Sequence, residues 1–499
     1  MTTASGGKSA YQQLIDQGIE LQLVKDTQSL LGWDQEVMLP RNGVAYRGRQ
    51  MSWLSGFLHR RFIDPKVGEY LSEAEESAED GIDEIARANL REWRHAYDRA
   101  TRLPAELVEE MAEAQVMAQS VWARARQDSR FEDFAPHLQR LIDLSRRQAD
   151  YWGYETCPYD ALLDLYERGA TTARLDRILG GLKDQLVPLV GEATSREPFD
   201  RSKLDAFYPI EQQQKFNRKV AEGIGFDFDS GRIDTAVHPF CSGMAPHDTR
   251  MTTRYDERDF LSSLFGVLHE TGHGLYEQGL NPDHRGQPVG NAVSLGIHES
   301  QSRLWENHVG RSRSFWEKWH SVAAEYFPNV ALLSPQEMFR AVNQAKCSLI
   351  RVEADEVTYD LHILLRYEME KAVFAGELTV KEIPSEWNRK MEELFGLKVD
   401  SDAHGCLQDI HWSMGTFGYF PTYSLGNINA AHLMKSARND DPALEIQMEE
   451  GDYSGLLNWM RKKIHSQGSL YLPDELIEKA TGGPASSDEL IEHLRKRYL

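Results

Sequence analysis

Cysteine is scarce. The four thiols, Cys157, Cys241, Cys347 and Cys406, lie far apart in 499 residues, and none forms a C-x-x-C pair. A disulfide framework is thereby excluded, and the thiols read as ordinary reduced residues of a cytoplasmic protein. Cys241, between Phe240 and Ser242, has no identifiable His partner and is a poor nucleophile. Long apolar runs are also missing: none approaches the ~18 residues of a membrane span. The opening MTTASGGKSAYQQ has one Lys and no apolar stretch, so no secretory signal is expected. Positive charge is in deficit. Lys and Arg number 56 against 78 Asp and Glu, and the net charge of −22 repels nucleic acid and anionic membrane surfaces; neither is expected as a partner. No G-x-x-x-x-G-K-[ST] cradle and no G-x-S-x-G elbow occur, which leaves P-loop and serine-hydrolase chemistry without support.

What is present is a helical texture of average globular composition, with 41% hydrophobic and 27% charged residues. Tyr11 to Leu31 places Leu14, Ile15, Ile19, Leu21, Leu23 and Val24 near a 3.6-residue period. Ile82 to Arg126 is rich in Ala, Glu, Arg and Met, and Pro104 marks a new helix with Glu106, Glu109 and Glu110 in its first turns. Phe134 to Trp152 and Thr172 to Val190 continue the pattern. No heptad persists, so packed helices are expected and an exposed coiled coil is not. Between Phe226 and Tyr255 the texture changes to Gly, Pro and β-branched residues, which predicts two or three short strands. Helix resumes from Asp259 to Met369, broken by a Gly/Pro loop at Asn281 to Asn291. Gly405 to Leu425 is a second irregular patch, dense in aromatics and glycine. With no linker and no repeat, the reading is a mostly α, single-domain chain over 1–499. It has a helical part at 1–200, a strand insert at 226–255 and a catalytic part at 259–425.

The sharpest chemical signal is His269-Glu270-Thr271-Gly272-His273, an H-E-x-x-H. On a helix, residues four apart share a face, so both imidazoles can point at one ion. Glu270 lies beside them, where a carboxylate can take a proton from water that zinc has acidified to a pKa of about 7. Chance alone yields roughly 0.05 such matches in a chain of this composition. The flank Phe260, Leu261, Leu264, Phe265, Val267 and Leu268 would bury the motif, and buried imidazoles without a metal are costly. A catalytic zinc site needs a third protein ligand and an open position. Glu299, beyond the loop and beside the helical stretch Gln301 to Gly310, suits a second helix packed antiparallel to the first. His298 and His308 are rival third ligands. A structural zinc site would instead be closed by four ligands, and only three good ones are found beside an intact Glu270.

At these residues the chain resembles the carboxypeptidase Taq family of metallocarboxypeptidases. Asp248-Thr249-Arg250-Met251-Thr252 fits its D-x-R-x-T, and His269 to His273 its zinc motif, followed by Gly274-Leu275-Tyr276-Glu277-Gln278. His298-Glu299-Ser300-Gln301-Ser302 fits the third-ligand segment. Ile350-Arg351-Val352-Glu353-Ala354-Asp355 fits I-R-x-x-A-D. Gly405-Cys406-Leu407-Gln408-Asp409-Ile410-His411-Trp412 fits G-x-x-Q-D-x-H-W. Trp33 to Pro40 also looks like family sequence. One departure is Thr271-Gly272-His273-Gly274, where members more often carry a bulkier residue and Ala; it is expected to add flexibility near the ligands. The resemblance implies a large helical body with a deep groove, a small three-stranded sheet beside the motif helix, and a homodimer. It implies one divalent metal per chain, zinc or cobalt, on His269, His273 and Glu299. It also implies release of C-terminal residues from peptides, with broad tolerance and poor cleavage before a terminal proline. A helical zinc oligoendopeptidase is the alternative.

Within the matched segments, an Arg fork suits a free C-terminal carboxylate. Arg351 is the first choice and Arg250 the second, against structural ion pairs of Arg351 with Asp355 and of Arg250 with Asp248. His411 and Tyr423 can donate to the oxyanion of the reaction. Asp409 is expected to orient a neighbouring or ligand imidazole. Trp305 and Trp412 read as core.

Overall fold

The computed structural model describes residues 8–77 and 82–499. Met1 to Gly7, which carry part of the signal-peptide reading, lie outside them. Helix dominates, as expected. Ala10–Val37 starts at Ser9, whose hydroxyl accepts from the Gln12 amide at 3.2 Å. The long Ala/Glu/Arg stretch resolves into Glu84–Arg102 and Ala105–Asp128, with Pro104 as the N-cap of the second. Phe131–Trp152 and Thr172–Thr194 follow, the latter capped by Thr171. No helix among the described residues is long and apolar enough to cross a membrane.

The strand insert is a three-stranded mixed sheet: β1 (Gly231–Thr235), β2 (Cys241–Ala245) and β3 (Asp248–Thr253). β3 is central, parallel to β1 and antiparallel to β2, with Cys241 opposite Met251 and a register break between Gly243 and Ala245. Helix then returns as Phe260–Gly279. Asn281 to Asn291 forms two Pro-initiated 3₁₀ turns, Pro282–His284 and Pro288–Gly290. Leu295–Arg303 runs on into a π-helical segment, Leu304–Gly310.

One boundary differs from the sequence expectation. The patch expected to be irregular to Leu425 ends at Phe420, and Pro421–Asp440 is a long helix with proline in its first turn, where no N–H is needed. Tyr423 therefore sits on a helix. This helix is buried along nearly its whole length and lies between two apolar cores. Leu425, Ile428 and Ala431 join the core built from Phe134, Leu179, Leu364 and their neighbours. Ala430, Leu433 and Met434 join the core of Phe216, Leu264, Trp305 and Trp316. The helix Leu295–Arg303 packs against this spine on one side and against Phe260–Gly279 on the other.

Candidate active site

Asp259 caps the motif helix, its carboxylate accepting from the Leu261 and Ser262 amides at 3.1 and 3.4 Å. Phe260, Leu261, Leu264, Val267, Leu268 and Leu275 are buried, so the remaining stripe carries the imidazoles. His269 and His273 lie one turn apart and meet edge to face, ring centres 4.9 Å from each other and ring planes at 86°. The following helix is antiparallel: His298 near its start meets His273 and Glu277, while Glu306 beyond its end meets His269.

Two glycines set how closely the helices approach. A Cβ on Gly272 would lie 2.4 Å from the Gln301 carbonyl oxygen and 2.6 Å from the Ser302 Cα. One on Gly426, in the spine helix, would lie 2.5 Å from Glu299 Cγ. Glu299 is thus held between two backbones. Gly272 serves contact here, leaving no room for a side chain between its helix and the Gln301–Ser302 backbone.

His269 Nε2 and His273 Nε2 lie 3.7 and 3.5 Å from Glu299 Oε2, and one donor atom from each of the three residues falls within 4.8 Å of the others. Tetrahedral donors at ~2.0–2.2 Å from zinc would stand roughly 3.3–3.5 Å apart, so the set fits one divalent ion with small adjustment. Arg303 Nε holds Glu299 Oε1 at 2.7 Å and the Ser302 hydroxyl donates to Oε2 at 3.1 Å. The two Nδ1 atoms face away from this point. His269 Nδ1 is 2.9 Å from Glu306 Oε2, and His273 Nδ1 is 2.6 Å from His298 Nδ1. Of the rival ligands, His298 therefore sits behind His273. His308 is elsewhere, its ring 3.9 Å from that of His493.

Glu270 is buried and its Oε2 has no hydrogen-bond partner among the described residues. Burial pushes its carboxyl up to about 7, against the pull of His269. Burial resists protonation of His269, yet Glu299, Glu306 and Glu270 together hold it at about 9. A divalent cation binds neutral imidazole and would displace that proton. Burial also opposes ionisation of Glu306, but Arg303, His269 and Arg311 keep it at about 2. His273 lies well below the usual imidazole range through burial and the neighbouring His298 and His269.

Tyr359 links this cluster to a second one. The Arg303 guanidinium lies 4.5 Å over its ring, and Arg351 Nη1 donates to its hydroxyl at 3.0 Å. Arg351 is buried, and its Nε and Nη2 both donate to Asp409 Oδ1, at 2.9 and 2.8 Å. Arg366 Nε reaches Asp409 Oδ2 at 2.6 Å. Asp409 thus faces two guanidinium groups, in place of the imidazole expected. Asp355 does not pair with Arg351; it accepts from the Lys346, Val357 and Thr358 amides. His411 Nε2 is 3.3 Å from the Tyr423 hydroxyl, and the Tyr423 ring lies 5.1 Å from the Arg351 guanidinium. Burial, aided by Arg351 and Arg366 and opposed by Asp409, pushes His411 down to about 4, so it is neutral at pH 7. The Arg250 fork is closed by Asp248 at 2.8 and 2.9 Å and lies over Trp33. Trp305 and Trp412 are core, the latter donating to Glu370 at 2.8 Å.

Glu306 and Arg303 were not read from the sequence, and Glu277 was read only as part of a matched segment, without a role. The spacing Glu299-Arg303-Glu306 puts alternating charges on one helical face and was the available signal, but it equally describes a solvated face.

The family model of carboxypeptidase Taq (M32) metallopeptidase matches residues 13–498. Thermostable carboxypeptidase 1 of Thermus thermophilus is 41% identical over 504 residues, covering 98% of each chain. Carboxypeptidase 1 of Bacillus subtilis is 37% identical over 472 residues, covering 94% of each. Among solved structures, the M32 carboxypeptidase from Deinococcus radiodurans superimposes with a TM-score of 0.95 at 36% identity over 98% of both chains. Metallocarboxypeptidase 1 of Trypanosoma cruzi gives 0.94 at 37%, over 98% of this chain and 99% of its own. A match that runs through both apolar cores and the imidazole–carboxylate cluster leaves one assignment: the chain belongs to the carboxypeptidase Taq (M32) family and is a metallocarboxypeptidase.

Proposed function

We propose that the enzyme removes residues from the free C-terminus of peptides, with broad side-chain tolerance, using His269, His273 and Glu299 to hold one divalent ion and Glu270 as general base. The observation that carries this reading is the convergence of three donor atoms beside a buried carboxylate oxygen that lacks a partner among the described residues. When bound, zinc or cobalt supplies Lewis acidity that polarises the scissile carbonyl and acidifies water. Glu270 takes the proton of the attacking water and returns it to the leaving amine. His411 and Tyr423 donate hydrogen bonds to the oxyanion that develops on the substrate carbonyl.

Arg351 anchors the substrate carboxylate. Asp409 and Tyr359 occupy three of its five N–H groups, which leaves one each on Nη1 and Nη2 for a bidentate partner. Arg250 is the weaker choice, because Asp248 already fills its fork. A cytoplasmic homodimer completes the reading. An oligoendopeptidase would need no carboxylate anchor. Products from one short peptide with free and amidated C-terminus, resolved by mass, separate the two. Single-residue loss from the free form, abolished by a chelator and restored by zinc or cobalt, is expected. Equal internal cleavage of both forms would overturn it.

A further inference from the structure

We propose that Glu277, acting through His298, is a positioning residue that fixes the proton on His273 and so keeps His273 Nε2 available to the metal. The inference rests on the ligand set proposed above. His273 Nε2 faces Glu299 Oε2 at 3.5 Å, and its Nδ1 faces His298 Nδ1 at 2.6 Å. An imidazole that offers its Nε2 lone pair to a cation carries its proton on Nδ1. At 2.6 Å that N–H donates to His298 Nδ1, its side-chain partner, so His298 presents a lone pair there and carries its own proton on Nε2. His298 Nε2 lies 2.9 Å from Glu277 Oε1, and a carboxylate is an acceptor only. Each proton then has one consistent place. With no acceptor at position 277, His298 is free to move its proton to Nδ1. Two N–H groups then oppose each other across 2.6 Å, or His273 shifts its proton to Nε2 and loses the lone pair.

The other ligand imidazole is served differently. His269 Nδ1 reaches Glu306 directly at 2.9 Å, the common carboxylate arrangement. Glu277 lies one turn beyond His273 on the same helix and reaches its Nδ1 only through His298, which the facing helix supplies. The outer end of the relay is seated by the sheet. A Cβ on Gly243 of β2 would lie 2.2 Å from Glu277 Oε2 and 2.5 Å from its Cδ, so the carboxylate fills the space a side chain would take. The Tyr276 ring packs 5.1 Å from that of His298 and restrains it.

Zinc affinity of the metal-stripped full chain, measured by competition with a chromophoric chelator, tests the relay, together with thermal midpoints of the metal-stripped proteins. Glu277→Met removes the acceptor at similar size and should weaken zinc binding about 10- to 100-fold. Glu277→Gln keeps an acceptor oxygen and should recover most of that loss. Gly243→Ala displaces the carboxylate and should weaken binding in the same direction. The metal-stripped midpoint of Glu277→Met should match that of the unaltered chain. Native affinity in Glu277→Met, with zinc lost in His273→Ala, would sink the relay and leave the ligand set intact. Native affinity in His273→Ala would remove both. A fall in affinity that follows a lower metal-stripped midpoint would assign Glu277 a merely structural role and overturn the proposal.

Discussion

Glu270 is distinguished from the other carboxylates of the site by what it does not touch. Glu299 is held by Arg303 and Ser302, and Glu306 by His269 and Arg303, whereas Glu270 Oε2 has no partner among the described residues. A general base that is not a ligand predicts that Glu270→Gln keeps one metal per chain while turnover falls by about 10²–10⁴. Elemental analysis beside steady-state kinetics checks this, and loss of the metal would show that Glu270 is a ligand after all. Arg351 belongs to the same scale. Amidating the substrate removes the charge its fork would hold and should cost at least about tenfold in kcat/KM, since ~1.4 kcal/mol is tenfold and a hydrogen bond to a charged group contributes ~1.5–3 kcal/mol. Arg351→Ala should cost as much on free peptides and little more on amidated ones, because both changes delete one interaction. Full additivity in that cycle would move the anchor to another arginine.

Between elements, the site depends on how closely three helices approach. Gly272 meets the backbone of Gln301 and Ser302, and a backbone cannot swing aside as a side chain can. Gly272→Ala should therefore destabilise by about 1–3 kcal/mol through overpacking and weaken metal binding as Glu299 is displaced. Gly180 is the control. It lies in helix Thr172–Thr194, and a Cβ there would meet nothing within 4 Å. Gly180→Ala should be neutral or stabilise by up to about 1 kcal/mol through helix propensity. Calorimetry of both variants decides it; equal midpoints would refute the packing role of Gly272. The π-helical turn works at the same scale. Seven residues, Leu304–Gly310, carry Glu306 to His269 and hold Asn307, which accepts from Arg311 just beyond the turn. Such turns recur at functional sites, where they re-aim a side chain that a regular helix would misplace.

Across the whole molecule, the C-terminal helix Asp488–Tyr498 closes back on the site-bearing segment. Arg497 Nη1 donates to the Asn307 carbonyl at 2.5 Å and to Glu356 Oε2 at 3.0 Å, His493 Nε2 lies 2.8 Å from Glu356 Oε1, and the Tyr498 hydroxyl donates to Oε2 at 3.1 Å. Burial opposes the Glu356 charge, but Arg497 and His493 outweigh it and hold the carboxyl well below its usual range. A folded pKa below the unfolded ~4.3 means the stabilisation is fully present above that pH and is lost as pH falls toward the folded value. Glu356→Gln leaves Arg497 without its counter-charge and should cost about 3–5 kcal/mol at pH 7. The gap in thermal midpoint from the native chain should narrow below pH ~4; a gap unchanged down to pH ~3 would rule out the ionised pair as its source. The proposed homodimer belongs here too. Sedimentation at twice the 57.0 kDa chain mass is expected at micromolar concentration, and sedimentation at 57.0 kDa would count against it.

Much was determined by the sequence alone, and it is the part that covalent geometry sets. Residues four apart on a helix share a face, so His269 and His273 were bound to converge. Pro104 and the β-branched run near residue 231 announced a helix start and a strand from backbone sterics. Helix Pro421–Asp440 was not read, because its start, Pro421-Thr422-Tyr423-Ser424, continues the texture of the aromatic, glycine-rich loop before it. Only the tertiary structure decided the pairings between distant segments: Asp409 with Arg351 and Arg366, His298 with His273 and Glu277, Gly426 against Glu299. Each depends on helix approach and rotation, which arise from the joint packing of the two apolar cores around the spine helix. A carboxylate's partner is chosen by that packing, because a buried charge must be met by whichever opposite group the fold brings within reach.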